Sequence, residues 1–171
     1  VYEFGSTMKA ITMASALDSG AVKPSTTYND KGSLTIDSKT ISNFEGKARG
    51  VVPMQEVLRQ SLNVGIGFIV QTMGTKVLRD YFERFGITEE TGIDLPSEAS
   101  PLVTNLESPR TMEYITAGYG QGVAITPMAM TRALAALANH GQVPQPHIGL
   151  MLRYPGGLTK ELGWSPPRSA I

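Results

Sequence analysis

A serine and a lysine three residues apart, Ser6 and Lys9, are the first residues in this sequence whose types and spacing could do chemistry. Residues three apart share one face of an α-helix, so a helix here would bring the hydroxyl towards the amine. A serine hydroxyl needs a neighbouring base to become a good nucleophile, and a lysine whose ammonium is destabilised by burial can be that base. Judged alone, the spacing does not separate this chemistry from an ordinary N-cap serine with a solvated lysine one turn later.

A second hydroxyl and an amide follow in the order Ser61-Leu62-Asn63, just past a predicted helix that starts at Pro53. The hydroxyl could relay a proton between a nucleophile and a leaving group, and the amide could bind a peptide backbone. Serine and asparagine also suit helix ends for purely local reasons. The motif therefore points to chemistry only in combination with Ser6 and Lys9.

Apolar periodicity predicts the helices that would have to position these side chains. The first, residues 6–19, would carry Ser6 at its N-terminus, where free N–H groups and the helix dipole favour negative charge. The others are a helix starting at Pro53 and helices over residues 64–73, 76–85 and 128–138, the last preceded by Thr126-Pro127 as N-cap and first position.

Strand signals are short and scattered. Residues 23–52 predict a surface excursion with one or two short strands around Leu34, Ile36 and Ile41, and residues 113–117 predict a short extended piece. Residues 88–112 are loop-like, and the proline-rich last 30 residues allow little helix. No β-α-β alternation occurs, so the prediction is an α/β fold of the α+β type, rich in helices.

Composition excludes several classes of function. The 15 basic and 15 acidic residues balance, and 7% of residues are aromatic, so nothing favours nucleic acid as a partner. The chain has no cysteine, and His140 and His147 have no metal-ligand spacing, so we expect no metal and no cofactor. No run approaches the about 18 apolar residues that a membrane span needs. The glycines of residues 118–122 lack the spacing of a phosphate loop and predict a structural turn.

The order of these segments resembles that of class B penicillin-binding proteins. Residues 2–9 resemble the Tyr-Glu-Pro-Gly-Ser-Thr-Phe-Lys nucleophile segment of that family, and residues 58–63 resemble its second motif with the helix leading into it. Three further stretches follow in family order, at residues 91–98, 118–127 and 135–139. We therefore identify the chain, by resemblance, as a member of this family.

The resemblance implies a fold, an activity and the roles of four residues. The fold would be part of the transpeptidase fold shared with serine β-lactamases, and the activity that of a peptidoglycan D,D-transpeptidase. Ser6 would be acylated by the D-Ala-D-Ala end of a stem peptide or by a β-lactam, and Lys9 would accept its proton. Ser61 would pass the proton to the leaving group, and Asn63 would hold the substrate amide. A membrane glycosyltransferase partner and an extracytoplasmic location, with the anchor outside this chain, are also implied.

The sequence departs from the family pattern in two ways. Phe4 stands where the family usually has proline and Met8 where it usually has phenylalanine; both are structural positions. The third family motif, Lys-Thr/Ser-Gly, is absent, because Lys39-Thr40 is followed by Ile41. We therefore expect residues 1–171 to be an interior, partial transpeptidase domain with an incomplete central sheet and poor activity in isolation.

Two alternatives remain open at this point. A serine β-lactamase shares the first two motifs but needs a group that activates a deacylating water, for which Glu107 and Glu113 are candidates. A non-catalytic β-lactam sensor or scaffold could keep Ser6 and Lys9 without turnover. Fast deacylation would indicate the β-lactamase, and acylation without turnover would indicate the sensor.

Overall fold

The computed structural model describes all 171 residues as six α-helices and four two-stranded antiparallel ribbons. The helices are α1 Met8–Asp18, α2 Met54–Arg59, α3 Asn63–Met73, α4 Thr75–Arg84, α5 Thr111–Gly118 and α6 Pro127–Ala138. The strands are β1 Thr27–Asp30, β2 Ser33–Ile36, β3 Lys39–Ser42, β4 Gly50–Pro53, β5 Gln142–Val143, β6 Met151–Arg153, β7 Thr159–Glu161 and β8 Arg168–Ser169. The ribbons pair β1 with β4, β2 with β3, β5 with β8 and β6 with β7.

Helix α1 lies at the centre of the molecule and packs against α3, α4, α5 and α6. Its inward face is built from Ile11 and Ala16, which are fully buried, and from Met8. Thr12 is also buried, and its hydroxyl donates to the carbonyl of Gly118 at 2.8 Å, so its polar atom is satisfied. Any residue at the start of α1 is therefore fixed relative to the whole core.

Helix α3 is apolar on most of its surface, with Ile66, Ile69 and Val70 fully buried. Two glycines of α3 allow neighbouring elements to pack directly against its backbone. A Cβ at Gly65 would lie 2.5 Å from the Val57 side chain, and a Cβ at Gly67 would lie 2.6 Å from Leu34. Both positions need glycine because α2 and the β2–β3 ribbon approach α3 more closely than any side chain would allow.

The observed elements confirm most of the predicted helices, with small shifts at the ends. The first helix starts at Met8 because residues 5–7 form a 3-10 turn, so Ser6 is not the N-cap of α1. Pro53 ends β4 and directly precedes α2 instead of being its first residue. The excursion at residues 23–52 contains more strand than we expected, with β1, β2, β3 and most of β4.

The prediction of an extended piece at residues 113–117 was wrong, because these residues belong to α5. The β-branched pair Ile115-Thr116 favours a strand locally. In the structure Met112 and Ile115, three residues apart, are both buried, and α5 packs on α3. Burial of one helical face therefore overrides the local preference. No helix combines the length and the apolarity that crossing a bilayer would require.

We expect Gly65→Ala to lower the free energy of unfolding by about 1–3 kcal/mol, because the new methyl group overpacks the contact with Val57. The steric cost should exceed the gain in helix propensity of about 1 kcal/mol. Gly163→Ala is the matched control, since its Cβ would meet nothing within 4 Å, and it should leave stability nearly unchanged. Urea unfolding followed by circular dichroism measures both; an unchanged midpoint for Gly65→Ala would contradict the close packing.

Candidate active site

The side chain of Lys9 is buried in the first turn of α1, with 3% of its surface exposed. Its Nζ donates to the carbonyl of Ser61 at 2.7 Å, to the hydroxyl of Ser61 at 2.9 Å and to Oδ1 of Asn63 at 2.7 Å. An ammonium has three N–H donors, so every donor of charged Lys9 has a partner. The structure thus brings three of the four predicted site residues into direct contact.

The turn between α2 and α3 gives Ser61 its orientation. Ser61 has φ of +54°, a left-handed conformation that costs a residue with a Cβ roughly 1–2 kcal/mol. Leu62, 1% exposed, anchors the turn in the core, and its N–H donates to the carbonyl of Val57 at 2.9 Å. The strained backbone aims both oxygens of Ser61 at Lys9, which fits the tendency of such strain to lie at functional sites.

The amide of Asn63 is held in one orientation by partners on both sides. Its Nδ2 donates to the carbonyl of Ser42 at 3.0 Å, which leaves Oδ1 facing the Lys9 ammonium. The reversed amide would place N–H groups against Nζ, so the contacts fix the assignment. One of the two N–H donors of Nδ2 remains available for a ligand.

Burial lowers the pKa of Lys9 from its ordinary value of 10.5 to about 8, because the charged form loses hydration. About one molecule in ten then carries a neutral amine at pH 7. A neutral amine keeps two donors and gains a lone pair that can accept a proton. The structure therefore gives Lys9 the property that a general base needs near neutral pH.

The three acceptors of Lys9 differ in what they can do with a proton. The carbonyl of Ser61 and Oδ1 of Asn63 can only accept, whereas the hydroxyl of Ser61 can accept or donate. When Lys9 is neutral, the two pure acceptors keep its two N–H groups, and the hydroxyl can donate to its lone pair. Ser61 is thus the partner through which a proton can move to or from Lys9.

Ser6 lies in the 3-10 turn of Gly5–Thr7, immediately before α1, and its side chain is exposed. The buried Met8 and Lys9 follow it, so the chain passes from solvent into the core within three residues. No hydrogen bond joins Ser6 to Lys9, whose three donors go to Ser61 and Asn63, so the two residues are linked by their spacing in sequence and not by a contact.

Residues 120–125 bind the segment that leads into the 3-10 turn carrying Ser6. The N–H of Gly5 donates to the carbonyl of Gly120 at 3.0 Å, and the N–H of Gly122 donates to Oε1 of Glu3 at 2.9 Å. Tyr2 and Ile125 exchange two backbone hydrogen bonds. Gly120 has φ of +83°, and a Cβ there would lie 2.1 Å from the carbonyl oxygen of Gly5. The sequence predicted a structural turn here but gave no sign of its contact with residues 2–5.

Several groups that could have done other chemistry lie outside this cluster. Glu113 accepts from Arg110, lies 3.9 Å from Lys39, and has a lowered pKa, chiefly because Ser108 donates to it. Glu107 ends the 3-10 turn of Thr104–Glu107. No three histidine or carboxylate side chains come together as a metal site.

Comparison with known proteins assigns the family. The family model described as the penicillin-binding protein transpeptidase domain matches residues 1–160. Stage V sporulation protein D of Bacillus subtilis is 33% identical over 148 residues, which cover 86% of this chain and 23% of that protein. The peptidoglycan D,D-transpeptidase FtsI of Escherichia coli K12 is 31% identical over 144 residues, 82% of this chain and 24% of that protein. The chain thus spans about a quarter of the length of these relatives.

Solved structures agree with this assignment. The crystal structure of penicillin-binding protein 3 from Mycobacterium tuberculosis with aztreonam has a TM-score of 0.88 and 26% sequence identity. It matches 99% of this chain, and the match covers 38% of that structure. This chain belongs to the penicillin-binding protein transpeptidase family, and the resemblance drawn from its motifs is confirmed. The predicted α+β transpeptidase fold, with its sheet incomplete here, is confirmed as well.

We expect Lys9 to titrate near pH 8 in the folded protein, since burial lowers its pKa to about 8. Between pH 8 and 10.5 the unfolded state then binds more protons than the folded state, so the free energy of unfolding should rise with pH in that window. Carbon-13 NMR of labelled lysine Cε, assigned through Lys9→Met, measures the midpoint. Lys9→Met should also remove that part of the pH dependence. A midpoint equal to that of exposed lysines would contradict the burial argument.

Proposed function

We propose that the protein carrying this chain is a serine-type peptidoglycan D,D-transpeptidase, with residues 1–171 as part of its transpeptidase domain. The observation that carries the proposal is the buried Lys9 amine, bonded to Ser61 and Asn63 and one helical turn from the exposed Ser6. The match to the transpeptidase family model and the relatives named for this activity support it.

In the first half of the reaction, Oγ of Ser6 attacks the carbonyl carbon of the penultimate D-alanine of a stem peptide. Neutral Lys9 takes the hydroxyl proton as the C–O bond forms. The C–N bond to the last D-alanine then breaks, and Lys9 returns the proton to the leaving amine through the hydroxyl of Ser61. An acyl group on Ser6 and free D-alanine result, with the proton count balanced.

In the second half, the amine of another stem peptide attacks the acyl carbon. Lys9, neutral again, takes the proton of that amine through Ser61, and Ser6 Oγ regains a proton as the ester bond breaks. The product is a new amide bond between two stem peptides. The free N–H of the Asn63 amide donates to a substrate carbonyl in both halves, since its other donor is bound to Ser42.

We further propose that β-lactams acylate Ser6, because their strained amide occupies the place of the D-Ala-D-Ala bond. The backbone N–H of Ser6 would supply one oxyanion donor, and the third family motif the other. A membrane glycosyltransferase as partner and a catalytic site on the outer side of the cytoplasmic membrane belong to the same proposal.

The β-lactamase alternative has less support. Such an enzyme needs a carboxylate that activates water at the acyl-serine. Glu113 is engaged by Arg110 and Lys39 instead, and the matched family model is that of transpeptidases. A non-catalytic sensor would be acylated but would form no cross-link, so an assay for product separates it from the transpeptidase.

The decisive test is labelling of the full-length protein with a fluorescent penicillin, read by intact mass. We expect one adduct per molecule, absent in Ser6→Ala and strongly slowed in Lys9→Met, because the hydroxyl then has no base. Thr7→Ala is a matched control, as it removes a neighbouring exposed hydroxyl. An adduct that persists in Ser6→Ala would overturn the assignment of the nucleophile.

We also expect Gly120→Ala to slow penicillin acylation by about 10²-fold, because its Cβ would displace the carbonyl of Gly5 and with it Ser6. Gly120 is buried next to the core residues Tyr119 and Val123, so circular dichroism must first establish that the variant is folded at the assay temperature. Gly163→Ala again serves as the control and should acylate at the unmodified rate. A folded Gly120→Ala protein with unchanged acylation would show that the turn tolerates the shift.

A further inference from the structure

A buried acid–amide pair lies behind the active site. Asp30, at the end of β1, is 1% exposed, and Asn43, just after β3, is 5% exposed. Nδ2 of Asn43 donates to both carboxylate oxygens of Asp30, at 2.9 and 2.8 Å. The N–H of Gly32 donates to the same carboxylate at 3.1 Å. The pair thus connects the β1–β4 ribbon to the β2–β3 ribbon.

The pair also contacts the first turn of α3. Oδ1 of Asn43 accepts from the N–H of Val64 at 3.1 Å, and the carbonyl of the preceding Ser42 accepts from Nδ2 of Asn63 at 3.0 Å. Two consecutive residues of the excursion therefore bind two consecutive residues of α3. Since Asn63 Oδ1 accepts a hydrogen bond from Lys9 Nζ at 2.7 Å, an unbroken chain of hydrogen bonds and covalent links joins Asp30 to Lys9.

Stability accounts for only part of this choice, because the pair accepts from the N–H groups of Gly32 and Val64 but also buries a carboxylate. A buried carboxylate loses its hydration, and Asp30 takes part in none of the seven ion pairs of the protein. An apolar contact between the ribbons would avoid that cost. An apolar contact could not orient the Asn43 side chain. The Asp30 carboxylate accepts only from the Nδ2 end of the Asn43 amide, so Oδ1 must face α3.

We propose that Asp30 and Asn43 are positioning residues for the transpeptidase reaction: together they hold the first turn of α3 so that Asn63 meets Lys9. The inference rests on the proposed function, because it assigns a role in acylation of Ser6. The pair touches neither substrate nor the reacting atoms and acts only through Ser42, Asn63 and Val64.

The test compares penicillin acylation rates of the full-length protein and four variants: Asn43→Ala, Asp30→Asn, the exchange Asp30→Asn/Asn43→Asp, and Ile41→Ala. In the exchange, the amide introduced at position 30 can donate to the carboxylate introduced at position 43, and that carboxylate can still accept from the N–H of Val64. Ile41→Ala is the matched control, because Ile41 is buried in the same ribbon but offers only apolar contacts. Circular dichroism establishes that each variant is folded at the assay temperature.

We expect Asn43→Ala to lower the maximal acylation rate by about 10- to 100-fold with little change in the concentration for half-maximal rate, since a misplaced base slows chemistry more than binding. The exchange should recover most of the rate, and Ile41→Ala should keep it. If Asn43→Ala does not fold, the exchange variant decides alone: a folded exchange protein that acylates as slowly as Asp30→Asn overturns the proposal. Equal losses in Asn43→Ala and Ile41→Ala also overturn it.

The outcomes separate this inference from the proposed function. If the unmodified protein forms no Ser6 adduct, the transpeptidase assignment fails and the positioning role fails with it. If the unmodified protein is acylated and Asn43→Ala acylates at the same rate, only the positioning role fails.

Discussion

The structure depends on one costly interaction, the burial of the Lys9 side chain with all three of its donors satisfied. Removing an ammonium from water is unfavourable, and three oxygen acceptors at 2.7–2.9 Å offset that cost. Those acceptors come from residues 52 and 54 positions further along the chain. The fold must therefore place α1 and the turn before α3 within hydrogen-bond distance, and the central position of α1 achieves this.

Two further segments hold the residues of the candidate active site in place. The loop at residues 120–125 fixes the start of the 3-10 turn that carries Ser6, with Gly120 allowing a backbone contact that any Cβ would block. The excursion at residues 23–52 fixes the start of α3 through Ser42 and Asn43. The segment before Ser6 and the residues that bind Lys9 are thus each held by hydrogen bonds to a second part of the chain. Such support is what the proposed catalytic groups need, because a catalytic site requires its side chains to be held in a precise geometry.

Much of the fold was predictable from sequence because long apolar periodicity marks helices such as α3, α4 and α6. The motifs at Ser6 and Ser61 identified the family, since their order is specific even where each motif is not. The α5 helix was missed because Ile115-Thr116 favours a strand until α3 covers one helical face. Asp30, Asn43 and Gly120 were missed because each acts through a partner distant in sequence. A buried acid in an otherwise polar loop gives no signal until its partner is known.

The burial of Lys9 makes the protonation state of this side chain depend on folding. In an unfolded chain Lys9 is an ordinary lysine, and only about one molecule in 3000 carries a neutral amine at pH 7. Folding raises that fraction about 300-fold, because burial removes the hydration that stabilises the charged ammonium. The newly made chain therefore has almost no neutral amine at Lys9, and one becomes available only when the native packing buries this side chain.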